Sequence, residues 1–362
     1  MPDRATLRSV RAVVTSNVRF AAPPQPSGFL RVVDLETGEV LLTTPMAESL
    51  FRAHDPNPRG GQRGGRGLSV HDGRLVVANA ERIFVLDTSW RLVDELSHPL
   101  TADIHDVLAE ERGIWVTSTA CDALVLLGWD GTLKDVWTYR DHRRLARQLG
   151  VPRPRLERFQ RDFDYRDPRY RVDGFNSVHL NSVARDGDDL LVMLGRIEGL
   201  TEETWANRSS VVVRISSTGK GTTLWRGDGL VVPNHNVACD GDLILLNDTN
   251  GHRLVAYDPA KREERLSVEI PGSPPCARGL ARIGPGRWLV GSQSPLAVYV
   301  IDLACGKIVA EYRFDALEEE CVYAVCSLPD EFAEPPRFAP GVDPYAFWTR
   351  ASPPPGVTPI PV

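Results

Sequence analysis

The chain has 362 residues, 42% of them apolar and 25% charged, with 42 basic against 48 acidic side chains and a formal charge of -6. That balance argues against a nucleic-acid partner, and no apolar run approaches the ~20 residues needed to span a membrane. The opening MPDRATLRSVRAVVTSNVRF lacks a signal peptide's apolar stretch, and the six cysteines (121, 239, 276, 305, 321 and 326) form no CxxC pair, so the expectation is a cytoplasmic protein with reduced thiols.

In chain order, one hairpin recurs. FLRVVDLETGEVLL around Asp34, IFVLDTSWRLV around Asp87, LVLLGWDGTLKDV around Asp130, VVVRISSTGKGTTL, RLVAYDPAKREERL around Asp258 and VYVIDLACGKIVAEY around Asp302 are six copies. Each is an apolar strand, a turn rich in Asp, Gly, Ser or Lys, and a second strand. A different hairpin precedes most copies: RGLSVHDGRLVVAN, HDVLAEERGIWVTS, NSVARDGDDLLVML, HNVACDGDLILLND and RGLARIGPGRWLVGS. Two hairpins make a four-stranded unit that returns about every 40 to 50 residues, which is the period of propeller blades.

The expected fold is therefore all-β, a six-bladed β-propeller over residues 1–329. A seventh blade is open if the long insertion hides strands, and a β-sandwich is the alternative architecture. The first copy is preceded only by RAVVTSN and lacks an innermost strand, whereas CVYAVCSLP (321–329) has nothing after it to pair with. Placing that C-terminal strand innermost in the first blade completes the ring and removes the open edge.

Two segments fall outside the pattern. Residues 140–175 hold eleven arginines and read as a short helix, a proline break and irregular chain. This insertion is expected over the channel mouth, as a lid, or as a surface for a protein partner or dimer contact. The Pro-rich tail from 330 to 362 is expected to wrap the surface in extended form.

Aligning the inner strands on their turns places one residue per blade in register: Arg66, His105, Asn181, His235 and Arg278, with Tyr323 from the closing strand. The residues that follow the first five are Gly, Asp, Ser, Asn and Gly. His179, two residues before Asn181, would share its strand face, and Asp103, Asp106, Asn234, Asn236 and Glu320 lie nearby in sequence. Two arginines facing one cavity call for an anion between them, so the expected ligand is a small anionic molecule. His105 and His235 are candidates for general acid and base, with Tyr323 as a further catalytic proton donor. Arg66, Arg278, Asn181 and His179 are candidates for substrate binding. That set suits elimination, isomerisation or cyclisation.

A metal is the other possibility. His105, His179 and His235 could form a three-histidine site for a single divalent Zn or Fe with an open position, although no HExxH-type motif accompanies them; otherwise no cofactor is called for. Ca²⁺ on Asn181, Asn236 and Asp106 has too few carboxylates. GGQRGGRG (60–67) lacks the GK[ST] of a phosphate loop, Cys276 reads as a core filler, and Trp115, Trp225 and Trp288 read as packing between blades.

IHDVLAEERGIWVTST, VHLNSVARDGDDLLVML, GLVVPNHNVACDGDLILLND and CARGLARIGPGRWLVG resemble a bacterial family of propellers known as conserved hypotheticals of unknown function. The resemblance covers roughly residues 66–300. It implies His105, His179, Asn181, His235 and Arg278 as shared features, and a fold without an activity. This chain departs from the family by reading PNHN, with His235 two residues after Pro233 rather than directly after it. The architecture is also similar to propeller lyases and gluconolactonase-like enzymes, an analogy at the level of fold. The functions carried forward are a biosynthetic enzyme working by acid–base chemistry on a small anion, a non-catalytic binding propeller, or a metal-dependent hydrolase or oxygenase.

Overall fold

The computed structural model describes residues 10–51, 64–151, 153, 164–167, 176–197, 209–228, 233–274, 276–339, 341–349 and 357–358. The first strands are β1 (Arg11–Val18), β2 (Phe29–Asp34) and β3 (Val40–Pro45). The second sheet is β4 (Leu68–His71), β5 (Arg74–Ala78), β6 (Ile83–Leu86) and β7 (Leu92–Leu96). The third is β8 (Ile104–Glu110), β9 (Gly113–Ser118), β10 (Ala123–Leu127) and β11 (Leu133–Trp137), followed by helix α1 (Arg143–Leu149). The fourth is β12 (Leu180–Asp186), β13 (Asp189–Ile197), β14 (Ser209–Ile215) and β15 (Gly221–Asp228). The fifth is β16 (His235–Asp240), β17 (Leu243–Asp248), β18 (Arg253–Asp258) and β19 (Glu263–Glu269). The sixth is β20 (Arg278–Gly284), β21 (Arg287–Gly291), β22 (Ala297–Asp302) and β23 (Lys307–Arg313). The last long strand, β24 (Glu320–Leu328), pairs antiparallel with β1 and is the innermost strand of the first sheet. The inner strands β4, β8, β12, β16, β20 and β24 each touch the next and close a circle. This is a six-bladed β-propeller with the closure expected from the sequence.

Strand position explains the composition of each copy. Middle strands such as β9, β10 and β6 are covered by neighbouring blades on both faces and are buried throughout, so they read as continuous apolar runs. Outer strands such as β11, β19 and β23 face water and carry Lys, Glu, Asp and Arg. Six apolar clusters, one per seam between blades, form the core. Trp115, Trp225 and Trp288 each sit in one of these seams. The recurring aspartate of the outer hairpin closes its turn by accepting backbone N–H groups: Asp34 from Glu36 and Thr37, Asp87 from Ser89 and Arg91, Asp258 from Ala260 and Lys261.

Outer-to-inner connections open on one face of the ring, the face on which the inner strands begin. Of the 140–175 insertion, α1 packs Leu145, Ala146 and Leu149 into the seam of blades three and four, beside β15, at the rim rather than above the channel. Residues 164–167 return to the connection between β7 and β8, where the Tyr165 amide donates to Pro99 and Arg166 donates to Ser97. The remainder of the insertion lies outside the described residues. The tail is more than a surface wrap: Phe332, Phe347 and Trp348 are buried in the seam of blades one and two. Arg11 donates to the carbonyls of Phe332 and Ala333, and Trp348 Nε1 donates to Pro45.

Candidate functional site

Every blade interrupts its inner ladder at the same level. Register shifts lie between Ile104 and Val107, Leu180 and Ser182, His235 and Val237, and Arg278 and Leu280. On β24 the partners jump from Ala324 to Val322, skipping Tyr323. In blade two, Ala78 bonds to both Arg66 and Gly67. A bulge of this kind turns a side chain out of the pleat. It creates two classes of residue: one that faces the mouth and a neighbour that faces the next blade.

The neighbours seal the seams. A Cβ on Gly67 would stand 2.5 Å from the Val107 nitrogen, so only glycine lets blades two and three approach there. Asp106 accepts from Ser182 Oγ at 2.8 Å and from the Val183 amide at 3.2 Å, and Ser182 Oγ in turn accepts from the Val237 amide at 3.1 Å. Asn236 Oδ1 accepts from the Gly279 amide at 2.8 Å. Asp106 and Asn236 are therefore bound to adjacent blades and, with Asn181, do not assemble the oxygen shell that Ca²⁺ requires. Burial raises the Asp106 pKa to about 7 against the bonds donated by Ser182, Val183 and Val107.

The mouth-facing class contains most of the aligned residues. His105 lies 4.9 Å from His179, 6.2 Å from His235 and 5.7 Å from Tyr323 between ring centroids. The Tyr323 ring carries two guanidinium groups, Arg66 at 4.7 Å and Arg278 at 4.5 Å from its centroid. Asn181 does not join this group, because its Nδ2 donates to the Asn234 carbonyl at 2.7 Å. His179 enters instead from the segment ahead of β12, with a backbone φ of 50°. The bulge and that left-handed residue break the alternation that would put His179 and Asn181 on one face. Among the described residues, Asn181 Oδ1 and Arg278 Nε are buried without a hydrogen-bond partner.

Hydrogen bonding sets the tautomer of all three imidazoles. His105 Nδ1 meets the Asp103 carbonyl at 2.9 Å, which can only accept, so Nδ1 carries the hydrogen. His179 Nδ1 meets Asn176 Oδ1 at 2.9 Å in the same sense. Arg278 Nη2 can only donate, and it donates to His235 Nε2 at 2.7 Å, leaving His235 Nδ1 to donate to Thr249 Oγ1 at 2.9 Å. Each Nε2 is therefore a lone-pair nitrogen. Burial, reinforced by the nearby arginines and the other imidazoles, holds His105 and His235 well below the ordinary histidine range. His179 is lowered to about 3 by burial and by Arg196, Arg278 and Arg66. All three rings are neutral at pH 7.

The remaining charges are unequal. Arg66 is balanced: its Nη2 lies 3.2 Å from Asp103 Oδ1 and its Nη1 donates to Tyr323 Oη at 2.5 Å. Burial would lower its pKa, but Tyr323 and Asp103 raise it. Burial likewise raises the Tyr323 pKa against the two arginines, so the phenol keeps its proton. The glycines before Arg66 serve close packing, since a Cβ on Gly64 or Gly65 would meet Ser27 O or Thr15 Cβ at 2.5 Å. Cys276 lies against Cys321, and that contact together with burial raises its thiol pKa.

Thr119, Asn176 and Thr249, which orient the rings, carry no motif of their own. The two threonines had a signal in the repeat, because each stands 14 residues after its histidine. A further anchor is Asp122, whose Oδ2 accepts from the Ser177 and Val178 amides at 2.5 and 3.2 Å and from Arg140 at 3.3 Å. It ties the segment bearing His179 to blade three.

No family model and no curated protein matches the chain. Among solved structures, a chain of the nidogen/laminin complex aligns with a TM-score of 0.54 at 12% identity, covering 87% of this chain and 98% of that one. A protein of unknown function from Bacteroides caccae aligns at 0.53 and 11% identity, covering 89% and 99%. A streptogramin B lyase aligns at 0.44 and 13%, covering 70% and 69%. These likenesses concern the fold. No helix among the described residues is long and apolar enough to cross a membrane.

Proposed function

We propose that the chain is an enzyme that acts on a small anionic substrate at the channel mouth by proton transfer, the chemistry shared by lyases, isomerases and cyclases. The observation that carries this reading is Arg278. Among the described residues its Nε is buried without a partner and its Nη2 bonds a neutral imidazole, while the nearby Asp103 carboxylate is paired with Arg66. Arg278 is half-buried with only a neutral imidazole on Nη2, and an anionic group on the substrate would give it charge-assisted bonds. The Tyr323 phenol, still protonated and held beneath both guanidiniums, is suited to donate to an oxyanion formed when a carbon next to the anionic group loses its proton. Nε2 of His105, neutral and fixed by Asp103, is suited to take that proton. His235 is kept as an acceptor for Arg278, and the pair orients the substrate.

The reading is tested with a panel of mono- and dicarboxylates, phosphate and sulfate, followed by thermal shift and by NMR of the mixtures. At least one anion is expected to raise the melting temperature of the native protein but not of Arg278→Met, and one is expected to be converted. Failure of every anion to stabilise the protein removes the proposal. Stabilisation without conversion favours the binding propeller over the enzyme.

A further inference from the structure

We propose that the mouth also holds one divalent transition-metal ion, of the zinc or iron class, on Nε2 of His105, His179 and His235. One ring nitrogen of each lies within 4.8 Å of the other two. Every Nδ1 is engaged by an oxygen, from Asp103 and Thr119, Asn176, and Thr249 respectively. That is the outer arrangement by which proteins orient metal-binding imidazoles and make their free nitrogens better donors. At the 4.8 Å limit the centre of such a triangle is about 2.8 Å from each nitrogen, against ~2.0–2.1 Å for a Zn–N bond. Small rotations of the three rings close the difference. An all-nitrogen donor set suits zinc or iron and not magnesium or calcium, and three protein ligands leave a position open for water or substrate.

Arg278 is the competitor. Its Nη2 occupies the lone pair of His235, so the ion and the guanidinium share that nitrogen in turn. Metal loading turns Arg278 away from His235 and frees both its Nη groups for the substrate anion. The inference rests on the mouth being the reaction centre. With Nε2 of His105 on the ion, the proton acceptor would instead be a hydroxide at the open position, and Arg278 would hold the anion without its bond to His235.

The test is equilibrium dialysis of the full chain, first stripped with chelator, against Zn(II) and against Co(II), with elemental mass spectrometry for stoichiometry. The expected result is one ion per chain with a Kd below ~1 μM, and a cobalt absorption spectrum of a four-coordinate site with three nitrogen ligands and one oxygen. His179→Ala should weaken binding by at least ~100-fold, and Asn176→Ala, which removes the Nδ1 acceptor, by ~10–100-fold. Arg278→Met should bind the ion at least as tightly as the native chain while losing the anion response, so the two proposals fail separately. Binding weaker than ~100 μM in the native chain, or affinity unchanged in both His179→Ala and Asn176→Ala with melting curves intact, overturns the metal site.

Discussion

The hydroxyl of Tyr323 accepts a 2.5 Å hydrogen bond from Nη1 of Arg66, a residue 257 positions earlier in the chain. The bond spans the seam at which the ring closes, because Tyr323 arrives on β24 and Arg66 stands just before β4. Closure of the propeller therefore brings Arg66 onto the Tyr323 ring. Arg278 reaches the same ring from blade six, so three blades converge on one phenol.

Tyr323→Phe keeps the ring and both cation–π contacts but removes the hydroxyl. Turnover of the substrate identified from the anion panel is expected to fall ~10²–10³-fold, the usual cost of losing one oxyanion donor. Urea unfolding should show a change of no more than ~1 kcal/mol, since Arg66 keeps Asp103. Turnover within threefold of native would remove Tyr323 from the chemistry.

Asp122→Ala leaves Arg140 buried without its carboxylate and the Ser177 and Val178 amides without their acceptor. Breaking such a pair costs ~3–5 kcal/mol, so a large drop in the urea midpoint is expected. Asp122→Ala combined with Arg140→Leu should recover part of the loss, because the stranded charge is gone. The double variant should still bind metal poorly, because the segment bearing His179 is untied. If the two substitutions add without recovery, the pair is not coupled.

Asp106 supplies the pH dependence. Its folded pKa is about 7 against 3.8 for the free side chain. The folded chain therefore binds the proton more tightly than the unfolded one does. Between about pH 4 and pH 7 the unfolded state gives up that proton first, so this group's contribution to stability falls as pH rises and levels off above pH 7. Asp106→Asn should lose that slope. It should also be less stable at every pH, since either oxygen of Asp106 that becomes an amine faces a backbone N–H. Urea midpoints at half-unit pH steps for both proteins decide the matter; equal slopes would count against the assignment.

Trp348 tests the tail. It packs with Phe84 at 4.9 Å and Phe347 at 4.9 Å between ring centroids, and its Nε1 donates to Pro45 at 2.7 Å. Trp348→Ala is expected to cost ~3–5 kcal/mol, read as a lower thermal midpoint, with metal and anion binding unaffected because Trp348 packs on Phe84, Phe347 and Pro45 and on none of the mouth-facing residues. A midpoint within a degree of native would return the tail to the role of a surface strap.

Blade number, blade boundaries and ring closure were all legible in the sequence, because they follow from local chemistry that repeats. An Asx turn needs its Asp at one place, a middle strand buried on both faces needs an unbroken apolar run, and an unpaired first blade needs a partner. Asp34, Asp87, Asp258 and the run Leu124–Leu127 report these things without reference to any distant residue. The same repetition brought Arg66, His105, His235, Arg278 and Tyr323 into one register, and put His105, His179 and His235 together as a possible ligand set.

Tertiary structure alone decided which atoms meet. A single-residue bulge separates a residue that faces the mouth from one that faces the neighbouring blade, and this is a property of strand pairing that composition does not express. For that reason Asn181 turned to Asn234 while His179 reached the cluster. For the same reason Asp106 and Asn236 became seam bonds rather than ligands. The tautomers were also decided by geometry: Nδ1 of His105 is protonated because a carbonyl lies 2.9 Å away, and His235 Nε2 is an acceptor because a guanidinium lies 2.7 Å away. Hydrogen-bond direction depends on which groups the fold brings within reach, and in this ring those groups come from blades that are far apart in the chain.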